Sequence, residues 1–325
     1  RMKYVLWKLG FEDFKRRVLE EREKIMVSGR TYPEPKEENE TGYLPVDENF
    51  ILKTNGDVEF NHWLDTNVAS QKQTGYNVVY INPTIGDLTV DQLFVMSEIS
   101  QRFSNGKIRT TPQQDIVLRW IRSSDLNSLY RELKTLGLNQ AGALDSSNVT
   151  SCPGADTCNL GITHSRALGK ELTQLFHRNA DWAEVLEGFR VKISGCPNSC
   201  GQHHVAAIGL HGATKKVEGG EIPSYLISVG GGMNSGKQTF GATLGRVPAR
   251  YAVEAVSRII KRFISQRSTD ENFWQFTERV GVRSYRDDIK DLSDFRVDNR
   301  NAELFVDLGE KQAFAAVTGE GECAV

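Results

Sequence analysis

Two short stretches hold four of the chain's five cysteines and concentrate its chemistry: Ser151-Cys-Pro-Gly-Ala-Asp-Thr-Cys158 and Ser194-Gly-Cys-Pro-Asn-Ser-Cys-Gly-Gln202. The pattern is C-x5-C, thirty-seven intervening residues, then C-x3-C. Four clustered thiols in a reducing compartment point to a metal centre rather than to disulfides. A structural zinc site favours two-residue spacing within each pair, because the ion closes a small knuckle. Spacings of five and three, with Pro and Gly inside, instead make open loops that wrap a larger cubane and turn backbone N–H groups toward its sulfurs. The spacing therefore ranks a four-thiolate iron–sulfur cluster first, with structural zinc and buried free thiols as the other two readings. The fifth cysteine, Cys323, lies in an acidic Gly-Glu-Gly-Glu-Cys-Ala-Val ending and reads as a free thiol.

Other chemistry-bearing residues carry less. Gly231-Gly-Met-Asn-Ser-Gly-Lys237 imitates a phosphate-binding loop, but Gln238 stands where Ser or Thr would meet Mg²⁺, and the next helical pattern starts only near Pro248. A wide glycine turn is the expectation. His203 and His204, read as neighbours on a strand, are expected to point one inward and one outward. Arg246 and Arg250 read as residues of a solvated helix start, and His62, His164, His177 and His211 have no companion pattern.

The elements that must position the cysteines follow from periodicity. Val5, Leu6, Leu9, Phe14 and Val18 give an N-terminal helix. Residues 1–28 are read as the terminal helix of a preceding half that the sequence does not contain. A connector over 29–49 holds three of the chain's nine prolines among acidic residues. Then Tyr76–Ile81 reads as a strand, Thr89–Phe103 as a helix, and Lys107–Thr111 and Asp115–Ile121 as strands. A further helix is capped by Ser123 or Ser124 and ends at Gly137. This β-α-β-β-α order fits a ferredoxin-like α+β domain over 50–145. A second α+β domain over 146–309 holds the cysteines, with strands at Phe189–Ile193, Val205–His211 and Tyr225–Val229 and helices near 164–177 and 248–266. Residues 310–325 form a tail.

The two cysteine motifs, in their wording as well as their spacing, resemble the siroheme- and [4Fe–4S]-containing nitrite and sulfite reductases. The likeness extends to His-Val-Ala-Ala-Ile-Gly-Leu-His-Gly (204–212), Lys-Ile-Arg-Thr-Thr-Pro-Gln-Gln (107–114) and Val-Gly-Gly-Gly (229–232). It implies that Cys152, Cys158, Cys196 and Cys200 hold a [4Fe–4S] cluster and that Cys200 also bridges to the siroheme iron. The implied fold is a ferredoxin-like domain followed by a siroheme/[4Fe–4S] domain. The implied reaction is the six-electron reduction of sulfite to sulfide, or of nitrite to ammonia, with ferredoxin or another low-potential donor. Siroheme carries many carboxylates, so its pocket needs amide and guanidinium donors. Asn198, between the last two cysteines, and Arg109, which reads equally as a surface residue of its strand, are the candidates here. Asn198 serves equally as a residue that holds its own loop. Family enzymes have two similar halves, and this sequence matches the C-terminal, cluster-bearing one. The Arg and Lys residues that grip the anion are expected from the N-terminal half, which becomes a partner in cis or in trans.

Composition sets the outer limits. Forty basic against forty-two acidic residues, a net charge of −2, argue against bulk nucleic-acid binding. The longest apolar runs are too short to span a membrane, and no leader-like stretch opens the sequence, so a cytoplasmic protein is expected. Two other classes remain open: an iron–sulfur electron-transfer module without siroheme, and a zinc-stabilised domain with no catalysis.

Overall fold

The structure, a computed structural model, describes residues 2–30, 44–47, 49–54, 56–234, 237–296 and 302–316. It comprises two units, one with the N-terminal helices and the other spanning Leu44–Thr318. Most of the expected connector, residues 317–325 with Cys323, and Ser235 and Gly236 lie outside the described residues.

In the first unit the periodicity was misleading in one respect. The expected single helix is two, α1 (Met2–Leu9) and α2 (Phe11–Val27), because Gly10 takes φ 78°, ψ 157° and breaks the turn between them. No side chain of α2 is buried. Its surface carries helix-spaced ion pairs, Arg16 to Asp13 and Glu20 and Arg17 to Asp13.

The main unit begins with α3 (Val58–Asn67), β1 (Val68–Ser70), β2 (Tyr76–Ile81), α4 (Val90–Phe103), β3 (Arg109–Thr110), β4 (Ile116–Arg122) and α5 (Leu126–Thr135). The sheet runs β1-β2-β4-β3, antiparallel throughout. With β2, β3 and β4 as the first three strands of a ferredoxin-like unit, β1 fills the edge that a fourth strand would take. Local chemistry sets these elements. Alternate residues of β2 (Asn77, Val79, Ile81) turn inward. Thr89 and Gln92 close a reciprocal capping box at the start of α4. After α5, Leu138 N–H returns to Leu133 O and Gly137 N–H to Lys134 O, with Gly137 at φ 65°. Under this sheet Phe60, Trp63 and Tyr130 pack ring against ring, with Tyr130 5.1 and 5.2 Å from the other two centroids. Two details differ from expectation. The strand expected over Lys107–Thr111 is only two residues long, and Asp125, not Ser123 or Ser124, stands at the N-cap of α5, after a 3₁₀ turn.

The chain continues through β5 (Thr150–Ser151), α6 (Ser165–Arg178), β6 (Val191–Ser194), β7 (Ile208–Val217), β8 (Gly220–Val229), β9 (Gly232–Asn234), β10 (Lys237–Thr239), β11 (Ala242–Pro248), α7 (Ala252–Gln266) and α8 (Phe273–Val280). A second sheet runs β11-β8-β7-β6-β5, in which β5, β6 and β7 are parallel and the rest antiparallel. Its core joins Leu168 and Leu172 of α6, Val191 and Ile193 of β6, Tyr225 and Ile227 of β8, and the apolar face of α7. β7 starts at Ile208, later than expected, because His203–Val205 coil into a 3₁₀ turn. The phosphate-loop mimic is an antiparallel hairpin, with β9 paired to β10. Among the described residues no helix is long and apolar enough to cross a membrane.

Candidate iron–sulfur centre

Both cysteine loops leave the carboxyl ends of neighbouring parallel strands, where open α/β sheets present their ligand sites. Cys152 directly follows β5, and its N–H still joins the ladder, donating to Ile193 O at 3.1 Å. The loop then makes one 3₁₀ turn at Gly154–Asp156, where Gly154 takes φ 61°. Cys158 N–H returns to Gly154 O, and Ser165 Oγ, at the start of α6, donates to Cys152 O at 2.8 Å.

The second loop leaves β6 at Ser194 and lies on the first. Ile162 and Thr163 N–H both donate to Gly195 O. A Cβ on Gly195 would stand 2.6 Å from Gly154 Cα and 2.8 Å from Thr163 O, so only glycine permits the approach. The loop is closed from β6 itself: Ser194 Oγ accepts Gly201 N–H at 3.1 Å and pairs with His203 Nδ1 at 2.8 Å. Ser199 and Gln202 take left-handed φ of 62° and 61° to make the return.

These contacts gather the four expected thiols. Cys152 and Cys196 are buried inside the loops while Cys158 and Cys200 are exposed, and all four are free. Burial pushes the Cys196 thiol above its ordinary pKa, the thiols of Cys152, Cys200 and Cys158 add to the rise, and the Asn198 N–H opposes it. Two backbone N–H groups therefore face sulfur, Gly195 to Cys152 Sγ at 3.1 Å and Asn198 to Cys196. Such N–H···S bonds stabilise thiolates bound to iron. Four zinc-bound sulfurs lie about 3.8 Å apart, from a bond of about 2.3 Å. Among the described residues no three His, Cys, Asp or Glu side chains close tightly enough for one metal ion. Four free thiols on two neighbouring loops, with two backbone N–H groups facing sulfur, fit a cubane.

The remaining expected residues fall in varied places. Asn198 is half-buried between Cys196 and Cys200 and contributes its backbone N–H. Arg109 is half-buried on β3, opposite Val117, on the first sheet rather than the cysteines' own. His203 is buried and His204 exposed, but on the 3₁₀ turn, not on a strand. Burial holds His203 neutral, with its pKa pushed down to about 3. The rings of His204 and His211 lie 4.1 and 4.6 Å from it. Arg250 is not a solvated helix-start residue: its guanidinium donates to Val306 O and Asp307 O. Arg246 donates to Thr214 O. His164 has companions after all. Its Nδ1 is 2.6 Å from Asp156 Oδ1, and its N–H donates to buried Asp307 at 2.8 Å.

Gln114, which sequence reasoning left without a role, proves structural to the site. Its amide donates to Ser151 O at 2.9 Å and accepts Ser151 N–H at 3.1 Å, clamping the residue before Cys152 to the β3–β4 turn. Gln114 does this from φ 71°. The signal was present in the Pro-Gln-Gln turn, but the partner lies thirty-seven residues away.

Comparison with known proteins agrees with this architecture. Residues 69–136 match the nitrite/sulfite reductase ferredoxin-like half domain, and residues 143–294 match the nitrite and sulphite reductase 4Fe-4S domain. The chain is 28% identical over 236 residues to sulfite reductase [ferredoxin] 2 of Mycolicibacterium paratuberculosis, covering 70% of this chain and 41% of that protein. It is 28% identical over 201 residues to the ferredoxin–nitrite reductase of Synechococcus elongatus, covering 62% of this chain and 38% of the relative. The solved structure of the Mycobacterium tuberculosis NirA protein superposes with a TM-score of 0.62 at 25% identity, over 89% of this chain and 48% of that one. The chain thus spans less than half the length of these relatives. Two family domains in sequence, the fold and the four-thiol site together show that the chain belongs to the siroheme- and [4Fe–4S]-dependent nitrite/sulfite reductase family.

Proposed function

We propose that this chain is the cluster-bearing C-terminal half of a ferredoxin-type reductase that takes sulfite to sulfide, or nitrite to ammonia, by six electrons. One observation carries the reading: two loops at the ends of β5 and β6 bring four free thiols together, two buried and two exposed. Cys152, Cys158, Cys196 and Cys200 would hold the [4Fe–4S] cluster. Exposed Cys200 would be the ligand that also serves siroheme, the role the family resemblance implies for the last cysteine. When bound, the coupled pair of cofactors supplies low-potential one-electron transfer beside the anion.

The chain's own residues do the rest. Gly195 and Asn198 N–H groups offset thiolate charge, and the buried inner cysteines keep water from half of the ligand set. The Asn198 amide and the Arg109 guanidinium serve as donors to siroheme carboxylates. The relatives' names support ferredoxin as donor, and both anions occur among them. Residues 1–28 fit the end of a preceding half, and the coverage of less than half of each relative supports a second half as partner, bringing the anion-gripping cations. Free clustered thiols suit the cytoplasm.

Anaerobic reconstitution with iron, sulfide and siroheme, followed by visible spectra and acid-labile sulfide analysis, tests the reading. Cluster and siroheme bands are expected, with Cys200→Ser uncoupling the two. A protein that stays colourless, or that gains zinc and no labile sulfide, refutes it. A cluster-only spectrum would instead support an electron-transfer module, or siroheme binding that requires the other half.

A further inference from the structure

β6 carries an unusual residue for a buried strand. Val191 and Ile193 face the core, while Lys192 and Ser194 share the opposite face, and all four are buried. Lysine is almost never buried without a counter-charge, yet Lys192 is 5% exposed. Its Nζ donates to the neutral Gln202 Oε1 at 2.7 Å. Among the described residues the charge acting on it is the guanidinium of Arg190, which repels it. Arg190 is half-buried and has Asp145 and Asp115 acting on it, whereas among the described residues no carboxylate acts on Lys192, and a buried charge without one is unfavourable.

The missing anion has a natural position. Lys192 grips Gln202, two residues beyond Cys200, while Ser194 on the same face grips Gly201 and His203. A Cβ on Gly201 would stand 1.9 Å from Ile193 O, so the limb leaving Cys200 lies directly on β6. The ammonium is thereby tied to the limb that follows Cys200, two residues beyond that cysteine. A cubane with four thiolate ligands is a net anion in either redox state and more so when reduced. A fixed positive charge therefore favours the reduced form.

We infer that Lys192 is the resident counter-charge of the iron–sulfur cluster and raises its reduction potential, a positioning and tuning role that rests on the cluster site proposed above. The test is a redox titration of the reconstituted full chain, followed by the electron paramagnetic resonance signal of the reduced cluster. Lys192→Met is expected to retain iron and labile sulfide but shift the midpoint to more negative potential, while Lys192→Arg stays near the original value. Gln202→Glu keeps the side-chain shape, sets a carboxylate against Nζ, and is expected to shift the midpoint in the same negative direction. A full-cluster Lys192→Met protein with an unchanged midpoint overturns the inference. So does a variant that loses siroheme alone, which would assign the lysine to a tetrapyrrole carboxylate. Should Lys192→Met fail to fold, an unchanged midpoint in Gln202→Glu overturns it equally. An unsubstituted chain that takes up neither iron nor sulfide is a separate failure, of the cluster site itself, and removes the premise.

Discussion

Replacing Gln114 with alanine removes both hydrogen bonds from its amide to Ser151, the residue before Cys152, the first of the proposed cluster ligands. Ser151 is 1% exposed, so water does not replace them. Each stranded buried backbone group costs about 1–3 kcal/mol, and the pair together costs about 2–5 kcal/mol allowing for partial relaxation. That corresponds to a roughly thirty- to several-thousand-fold rise in local opening. The backbone supplies a second signature. Residue 114 sits at φ 71°, a left-handed conformation costing about 1–2 kcal/mol for any residue but glycine. Gln114→Gly loses the same bonds but sheds this strain, so it should be less damaging than Gln114→Ala, the reverse of the usual order within regular elements. Urea unfolding gives the stabilities, and iron release to a chelator from the reconstituted chain reports the loop. An alanine variant within about 0.5 kcal/mol of the parent, or a glycine variant less stable than the alanine one, would refute the reasoning.

Other outcomes follow from the same geometry. Gly195→Ala forces a Cβ within 2.6 Å of the Gly154 backbone, which cannot yield as a side chain can. Overpacking of this kind costs about 1–3 kcal/mol, and labile-sulfide content after reconstitution should fall sharply. Asn198→Ala keeps the backbone N–H that faces Cys196. It should therefore retain the cluster while siroheme retention drops, checked by the ratio of siroheme to cluster absorbance; equal loss of both would count against the amide's role. Glu271 is held at a pKa of about 2, first by its hydrogen bond with Arg279. Because the folded value is depressed, its stabilisation is present above the unfolded carboxylate pKa and is lost as pH falls toward 2. The difference in melting temperature between the parent and Glu271→Gln should accordingly be largest at neutral pH and shrink on acidification.

Much of this was legible because the relevant forces are local. The alternation of Tyr76–Ile81 gives β2 with its bounds, and Thr89 with Gln92 fixes the start of α4. The four cysteines carry their Gly and Pro context beside them, so the loops announce themselves. What stayed hidden depends on distant partners or on backbone shape. Gly10 splits a sound helical periodicity through its dihedral angles alone. Lys192 lies within the strand expected over Phe189–Ile193, but its burial shows only when β6 is placed in a sheet with the Cys200 limb packed over it. Arg250 reads as a solvated cation, yet its acceptors lie more than fifty residues further along. The length of β7 also escaped notice, because Lys215 and Lys216 look like loop residues and are instead paired with Ile222 and Glu221 across the β7–β8 hairpin.

The carboxylate of Asp307 holds the N–H of His164 across 143 residues of chain. During translation, at roughly 5–20 residues per second, that brace arrives on the order of ten seconds after the first cysteine loop has been made. Until then the start of α6, whose Ser165 also supports Cys152, lacks one of its fastenings. The nascent protein consequently passes through a stage in which all four clustered thiols exist but their frame is incomplete. In a chain interrupted before residue 307, the start of α6 would support Cys152 without that fastening.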